Sequence, residues 1–303
     1  MRVFVSGATG YIGFNVACAF RRAGYEVLGL VRTKEKAQQV AFHEIRPVIG
    51  TMQKPDGFLN LVEQSSTLVH AAVDYKSPDR GMLDRQFTET LLSACNRGVQ
   101  PKTFIYTSGV WVYGNTNHKL VDETTPVNPA RLVTWRPAVE EMLTRASGTK
   151  GIVLRPGCVY GRQGGMTGEW FKQANLEKTL KIIGDGTNHW AMVNVDDLAA
   201  AYVQVAEKGQ AGEVYNLVDF SRSCLSEMAS AAAKIAGYSG KIEYVPVEDA
   251  KKALGDYAEC LVLDQHIDGR KVMRLLGWQP KHIGFVDEVE TYFQAWKAAF
   301  GRA

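Results

Sequence analysis

Apolar and polar positions alternate in blocks along this chain. A short apolar run, Val3-Phe4-Val5, precedes apolar positions at helical spacing, Val16, Ala17, Ala19 and Phe20. A continuous short apolar run marks a strand buried on both faces, and the three-to-four spacing marks an amphipathic helix. The unit then recurs. A second strand pattern covers residues 25–31 after a helix stop at Gly24, and a third covers residues 47–50. Helical spacing at Phe58, Leu59, Leu61 and Val62 leads to a fourth strand over residues 67–72. A long helix pattern follows over residues 80–97 and closes at Gly98. Residues 103–108 and 152–160 supply a fifth and a sixth strand pattern. Such alternation predicts an α/β fold, a doubly wound parallel sheet with helices on both faces.

Composition narrows the class without choosing a chemistry. The 303 residues are 46% hydrophobic and 22% charged, ordinary for a globular chain with one large core or two smaller ones. A net charge of +3 with no dense Lys/Arg run argues against a nucleic-acid partner. Cys18, Cys95, Cys158, Cys224 and Cys260 are scattered, odd in number and without metal-ligand spacing. They read as reduced thiols, and no metal is expected from them. No apolar run approaches the ~20 residues needed to span a bilayer, and the first strand pattern starts at Arg2. The expectation is a cytoplasmic protein with no membrane partner.

Chemistry enters with Ser6-Gly7-Ala8-Thr9-Gly10-Tyr11-Ile12-Gly13, between the first strand and the first helix. Three glycines at every third position suit a dinucleotide-binding turn. One permits a tight turn, one lets backbone N–H groups approach a pyrophosphate, and one lets helix and strand pack closely. The helix N-terminus then faces the phosphates. Gly7, Thr9, Gly10, Tyr11 and Ile12 are therefore cofactor-binding candidates. The second strand ends Leu30-Val31-Arg32-Thr33-Lys34, with no acid for the ribose hydroxyls. Arg32, with Lys36 nearby, suits a 2′-phosphate instead, so NADP(H) is the expected cofactor.

The Gly-x-x-Gly-x-x-Gly spacing resembles the extended branch of the short-chain dehydrogenase/reductase family, the NAD-dependent epimerase/dehydratase-like group. Further matching segments are Val69-His70-Ala71-Ala72, Tyr106-Thr107-Ser108 with Tyr113-Gly114, and Leu154-Arg155-Pro156 with Val159-Tyr160-Gly161. Leu275-Leu276-Gly277-Trp278 matches near the C-terminus. The resemblance implies a Rossmann-type domain over residues 1–155. It also implies a smaller C-terminal substrate-binding region over residues 156–303, with residues 191–218 returning to the first. It adds Met52, Ala71, Ala72, Val73, Thr107, Ser108, Arg136, Pro156 and Val159 as cofactor contacts. His70 is either a base or a buried strand histidine. Gly164, Gly165 and Gly168 suggest a mobile loop over the site. The family's pairing helices correspond to residues 84–97 and 139–146, which implies a homodimer.

The catalytic positions depart from the family. The usual serine falls on Gly109, the usual tyrosine on Leu132 and the usual lysine on Arg136. Leucine has no proton to give, and arginine stays protonated. Pro137 implies that the helix starts or kinks there. Arg136, Ser108 and Tyr75 remain as catalytic candidates, with Asp74 or water as further proton sources. Trp190 stands where nucleotide-sugar enzymes place a diphosphate-gripping arginine. It is either a flat wall for an apolar substrate or a core residue. The expected activity is an NADPH-dependent reductase for a small apolar or aromatic carbonyl, enone or imine. An isomerase, lyase or dehydratase, and a non-catalytic NADP(H)-binding sensor, stay open beside it.

Overall fold

The computed structural model describes residues 1–75, 77–97, 101–162 and 164–300. In chain order its first half runs β1 (Arg2–Ser6), α1 (Tyr11–Arg22), β2 (Glu26–Val31), α2 (Lys34–Ala41), β3 (Arg46–Ile49), α3 (Leu59–Glu63), β4 (Thr67–His70), α4 (Arg80–Asn96), β5 (Lys102–Thr107), β6 (Leu120–Val121) and α5 (Arg136–Thr144). The second half runs β7 (Thr149–Pro156), β8 (Cys158–Tyr160), α6 (Gly165–Lys172), β9 (Lys181–Ile183), β10 (Met192–Asn194), α7 (Val195–Lys208), β11 (Val214–Leu217), α8 (Leu225–Ile235), β12 (Glu243–Val245), α9 (Val247–Leu254), α10 (Asp256–Leu261), β13 (His266–Ile267), α11 (Arg270–Leu276) and α12 (Val289–Phe300).

Seven strands form one parallel sheet in the order β11-β7-β5-β4-β1-β2-β3. This is the Rossmann-type doubly wound arrangement that the alternating blocks predict. Strand pleating sorts the core. Val3 and Val5 join Val69, Ile105 and Ile152 under α1 and α7, while Phe4 joins Leu28, Leu68 and Phe104 under α3, α4 and α5. A second core gathers around Trp170, Phe171, Trp190, Phe285 and Trp296 in the C-terminal half.

Two boundaries differ from the sequence pattern. The run over 152–160 is two strands: β7 stays in the large sheet, and after Gly157 the chain leaves it to pair β8 with β10. A Cβ on Gly157 would meet Ala191 O at 2.4 Å, so that crossing is closed to other residues. The glycines at 164, 165 and 168 begin a helix rather than a loop, with Gly164 at φ +117° against Gly168. The α4 helix is described to Asn96 and its cap Arg97; the expected stop at Gly98 lies outside the described residues. By contrast, α1 ends at Arg22 and Gly24 adopts φ +86°, as its sequence predicts. No helix among the described residues is long and apolar enough to cross a membrane.

One carboxylate ties the sheet to the helices over it. Asp84 of α4 is 1% exposed. It accepts from His70 Nε2 (2.9 Å), Tyr106 OH (2.6 Å) and Trp135 Nε1 (2.8 Å). His70 Nδ1 in turn lies 2.6 Å from Ser6 Oγ. His70 is thus a buried strand histidine and not a base facing a substrate. Burial works against the Asp84 charge, but hydrogen bonds and charge from His70, with those of Tyr106 and Trp135, hold its carboxyl below the usual range.

Asp84→Ala leaves three buried donors without an acceptor, and its expected cost is about 3–5 kcal/mol near pH 7. Because the folded pKa is lowered, this stability is present above the unfolded value of about 4 and is lost as pH falls through the folded value. Urea unfolding of both proteins from pH 7 down to pH 3 checks this. Equal stability at pH 7, or a gap that widens on acidification, counts against it.

Candidate functional site

The carboxyl ends of β1, β4, β5 and β7 open onto a cavity of about 360 Å³. Its floor is the glycine turn. Gly7 sits at φ +76°, and a Cβ there would lie 2.5 Å from Ala71 O; a Cβ on Gly13 would lie 2.3 Å from Gly7 O. The first glycine therefore lets β4 approach the turn, and the third lets α1 lie directly on it. Gly10 caps α1 without a side chain, and the first turn holds no acidic residue. Its free N–H groups are thus available to an anion. Tyr11 OH donates to Gly161 O at 2.6 Å, which fixes the loop after β8 against the turn. These features fit a dinucleotide pyrophosphate.

Most sequence candidates converge here. Gly10, Tyr11, Ile12, Ala71 and Val73 line one side; Tyr75, Thr107, Ser108, Arg136, Pro156 and Val159 line the other. Gly7, Thr9 and Ala72 belong to the turn and the strand end beneath. Arg32, Lys36 and Met52 lie away from this cavity. Arg32 is 77% exposed, with Nη1 3.9 Å from Asp74 Oδ2. Lys36 Nζ bonds Gln39 Oε1 at 3.0 Å, and Met52 packs half-buried beside the sheet.

Arg136 is the cation that lines this cavity. It opens α5 just before Pro137, and Leu132 sits on a separate 3₁₀ turn (Arg131–Val133), so the two positions do not share one helix. Its side chain is 6% exposed. Nη2 donates to Tyr75 OH at 2.9 Å, and Nε is buried with no hydrogen-bond partner. The guanidinium lies 6.0 Å from the Trp135 ring centroid. Burial disfavours its charge, but Tyr75, Tyr106, Asp84 and Glu140 outweigh that and hold its pKa above the ordinary value. A Cβ on Gly109 would meet Arg136 Nη1 at 2.8 Å. Gly109, where the family carries its serine, therefore clears the space that Arg136 fills.

Ser108 reaches the cavity with its proton already directed at Glu140. Glu140 is held by Arg155, whose Nη2 is 2.5 Å from Oε2, and Arg155 Nη1 continues to Tyr113 OH at 2.7 Å. Ser108 is thus tethered to a buried carboxylate that Arg155 holds. Leu132 packs with Val133 and Cys260 beside Tyr257. Trp190 stacks on Trp170 at 5.4 Å in the C-terminal core and is not a wall of this cavity. The apolar wall comes instead from Val110, Trp111, Cys158 and Met166, roles that the sequence reading missed. Burial pushes the Cys158 thiol up to about 12, which disfavours a thiolate there.

Comparison with known proteins agrees with this geometry. The model of the NAD dependent epimerase/dehydratase family matches residues 3–217. An uncharacterized protein of Schizosaccharomyces pombe is 27% identical, over 97% of this chain and 100% of its own. A 4-hydroxy-2-methyl-3-oxo-4-farnesyl-3,4-dihydroquinoline-1-oxide ketoreductase of Stigmatella aurantiaca is 26% identical, over 84% of this chain and 78% of its own. Among solved structures, Thermus thermophilus UDP-glucose 4-epimerase in complex with NAD has the same fold (TM-score 0.81, 21% identity), covering 99% of this chain and 100% of that one. The chain belongs to the NAD dependent epimerase/dehydratase family.

Proposed function

We propose that this member of the NAD dependent epimerase/dehydratase family is an NADP(H)-dependent reductase of a small apolar or aromatic carbonyl, conjugated enone or imine. One observation carries the reading: the Arg136 Nη2–Tyr75 OH contact of 2.9 Å at the wall of a mainly apolar cavity. The family's tyrosine and lysine positions hold Leu132 and Arg136, yet a phenol again sits on a cation, delivered by the segment after β4. The glycine turn with Thr107, Arg136 and Pro156 would hold a dinucleotide whose reduced nicotinamide would supply the hydride. Charge then develops on the substrate oxygen. Tyr75 accepts its hydrogen bond from Arg136, so its own O–H is free to donate to that oxygen. The fixed guanidinium stabilises the phenolate left behind. Tyr75 is 48% exposed and regains its proton from solvent.

The cavity volume favours a small substrate over a nucleotide sugar, and the ketoreductase relative supports the reaction type. In this reading residues 1–155 bind the cofactor, residues 156–303 mainly cover the substrate, and residues 191–218 return to the sheet. All five cysteines are free, which fits a cytoplasmic location. At the adenosine end, the exposed Arg32–Asp74 pair at 3.9 Å contributes at most about 1 kcal/mol. A charged hydrogen bond to a 2′-phosphate contributes about 1.5–3 kcal/mol, so the phosphate displaces Asp74.

Three outcomes follow. Titration of NADP(H) and NAD(H) shows tighter NADP(H) binding, and Arg32→Ala lowers NADP(H) affinity about 10- to 100-fold while leaving NAD(H); equal wild-type affinities reject the preference. A panel of aldehydes, enones and cyclic imines oxidises NADPH, and for carbonyls Tyr75→Phe lowers kcat about 10²- to 10⁴-fold. Turnover without net NADPH oxidation replaces the reductase with an isomerase or lyase, and cofactor binding without turnover replaces it with a sensor. Finally, sedimentation at micromolar concentration gives a homodimer, paired through exposed faces of α4 and α5; a species of single-chain mass rejects that pairing.

A further inference from the structure

A second cavity, of about 630 Å³, lies apart from the first, and three histidines reach it. They come from segments far apart in sequence. His118 precedes β6, His189 precedes β10, and His266 opens β13, which pairs with β6 through His266↔Leu120 and Ile267↔Val121. Asp264 stands between them. Its Oδ2 is 2.9 Å from His118 Nδ1, and its Oδ1 is 3.3 Å from His266 Nε2 and 3.1 Å from His189 Nδ1.

The ordinary account of such a cluster is an aspartate stapling loops through imidazole N–H groups. It covers His189 and His118, whose backbone N–H groups also reach Asp264. It fails at His266. His266 Nε2 is a buried atom that makes no hydrogen bond, although it lies close to Oδ1. At 3.3 Å the distance would allow a hydrogen bond but the direction does not, so this buried ring nitrogen is left unsatisfied.

We propose that His118, Asp264 and His266 form a site for a divalent transition metal ion, with zinc the ion their nitrogen and oxygen donors suit. One ligand atom from each of the three lies within 4.8 Å of the other two. Bonds of about 2.0–2.2 Å around a tetrahedral zinc place neighbouring ligand atoms roughly 3.3–3.5 Å apart. His118 Nδ1 is 2.9 Å from Oδ2 and His266 Nε2 is 3.3 Å from Oδ1, so gathering them on one ion needs a turn of the carboxylate and a closer approach of the two rings. Three protein ligands leave at least one position for water, on the side of the second cavity. His189 orients the carboxylate through Oδ1 and is a positioning residue rather than a ligand. The ion would clip the turn carrying His118 to β13, where only two residues per strand are paired.

The test uses untagged full-length protein stripped with chelator and titrated with Zn²⁺ against a chromophoric competitor. Visible absorption after Co²⁺ substitution reports the ligand geometry. The expected result is one equivalent of Zn²⁺ with Kd of about 10 μM or tighter, together with a raised thermal midpoint. His118→Ala and His266→Ala should each weaken binding about 10-fold or more and cancel the thermal gain. NADPH binding at the first cavity should stay unchanged. The His118 side chain is 80% exposed, so its removal leaves folding intact and keeps the test decisive. Absence of zinc binding, or one-equivalent binding that both variants retain, overturns the proposal.

Discussion

A carboxylate sealed from solvent must be surrounded by donors or lose its charge, and Asp84 meets that condition with three aromatic rings. The rings belong to different elements: His70 to β4, Tyr106 to β5, and Trp135 to the turn before α5. Two are adjacent strands of the parallel sheet. The third fixes the start of the helix that carries Arg136. The requirement to satisfy one buried anion therefore sets the distance between these central strands and the buried Arg136 guanidinium. Gly81 has the same origin, because a Cβ there would collide with the Trp135 ring at 2.8 Å.

From that anchor the chemistry is built outward by compensated exchanges. Arginine is longer and broader than lysine, and Gly109 yields the volume its guanidinium needs. The tyrosine position, now Leu132, closes an apolar patch with Tyr257 and Trp111. The phenol reappears at Tyr75, on another segment but against the same cation. Below them, Glu140 holds Ser108 and Arg155 in one buried network.

The sequence made legible whatever depends on local spacing. Apolar runs, the Gly7-Gly10-Gly13 turn and the proline at 137 fix the sheet, the cofactor turn and the start of α5, because each rule acts within a few residues. The apolar part of the site's wall was less legible than its glycine turn and strand ends. Trp111, Met166 and Cys158 look like ordinary core residues until the fold brings their strand and helix ends together. Trp190 was open between a substrate wall and a core residue, and its stacking on Trp170 makes it core. Nor could spacing reveal the histidine cluster, since positions 118, 189, 264 and 266 meet only after β13 has paired with β6.

In the proposed reductase, an arginine at the lysine position also accounts for a proton source on another segment. A lysine buried beside a phenol can lose its proton and pass it on; an arginine cannot, so it offers a fixed field and nothing else. A phenol that gives up its proton beside such a cation must be reprotonated from elsewhere. At Leu132 the side chain is 9% exposed, so a tyrosine kept there would have no solvent to draw on. Tyr75 is 48% exposed while its oxygen still rests on Arg136. It therefore combines the electrostatic partner with a water-facing edge. Burial of the guanidinium strengthens its field on that oxygen, and exposure of the phenol supplies the return proton. The two requirements conflict at one position of one helix and are met by dividing them between two segments.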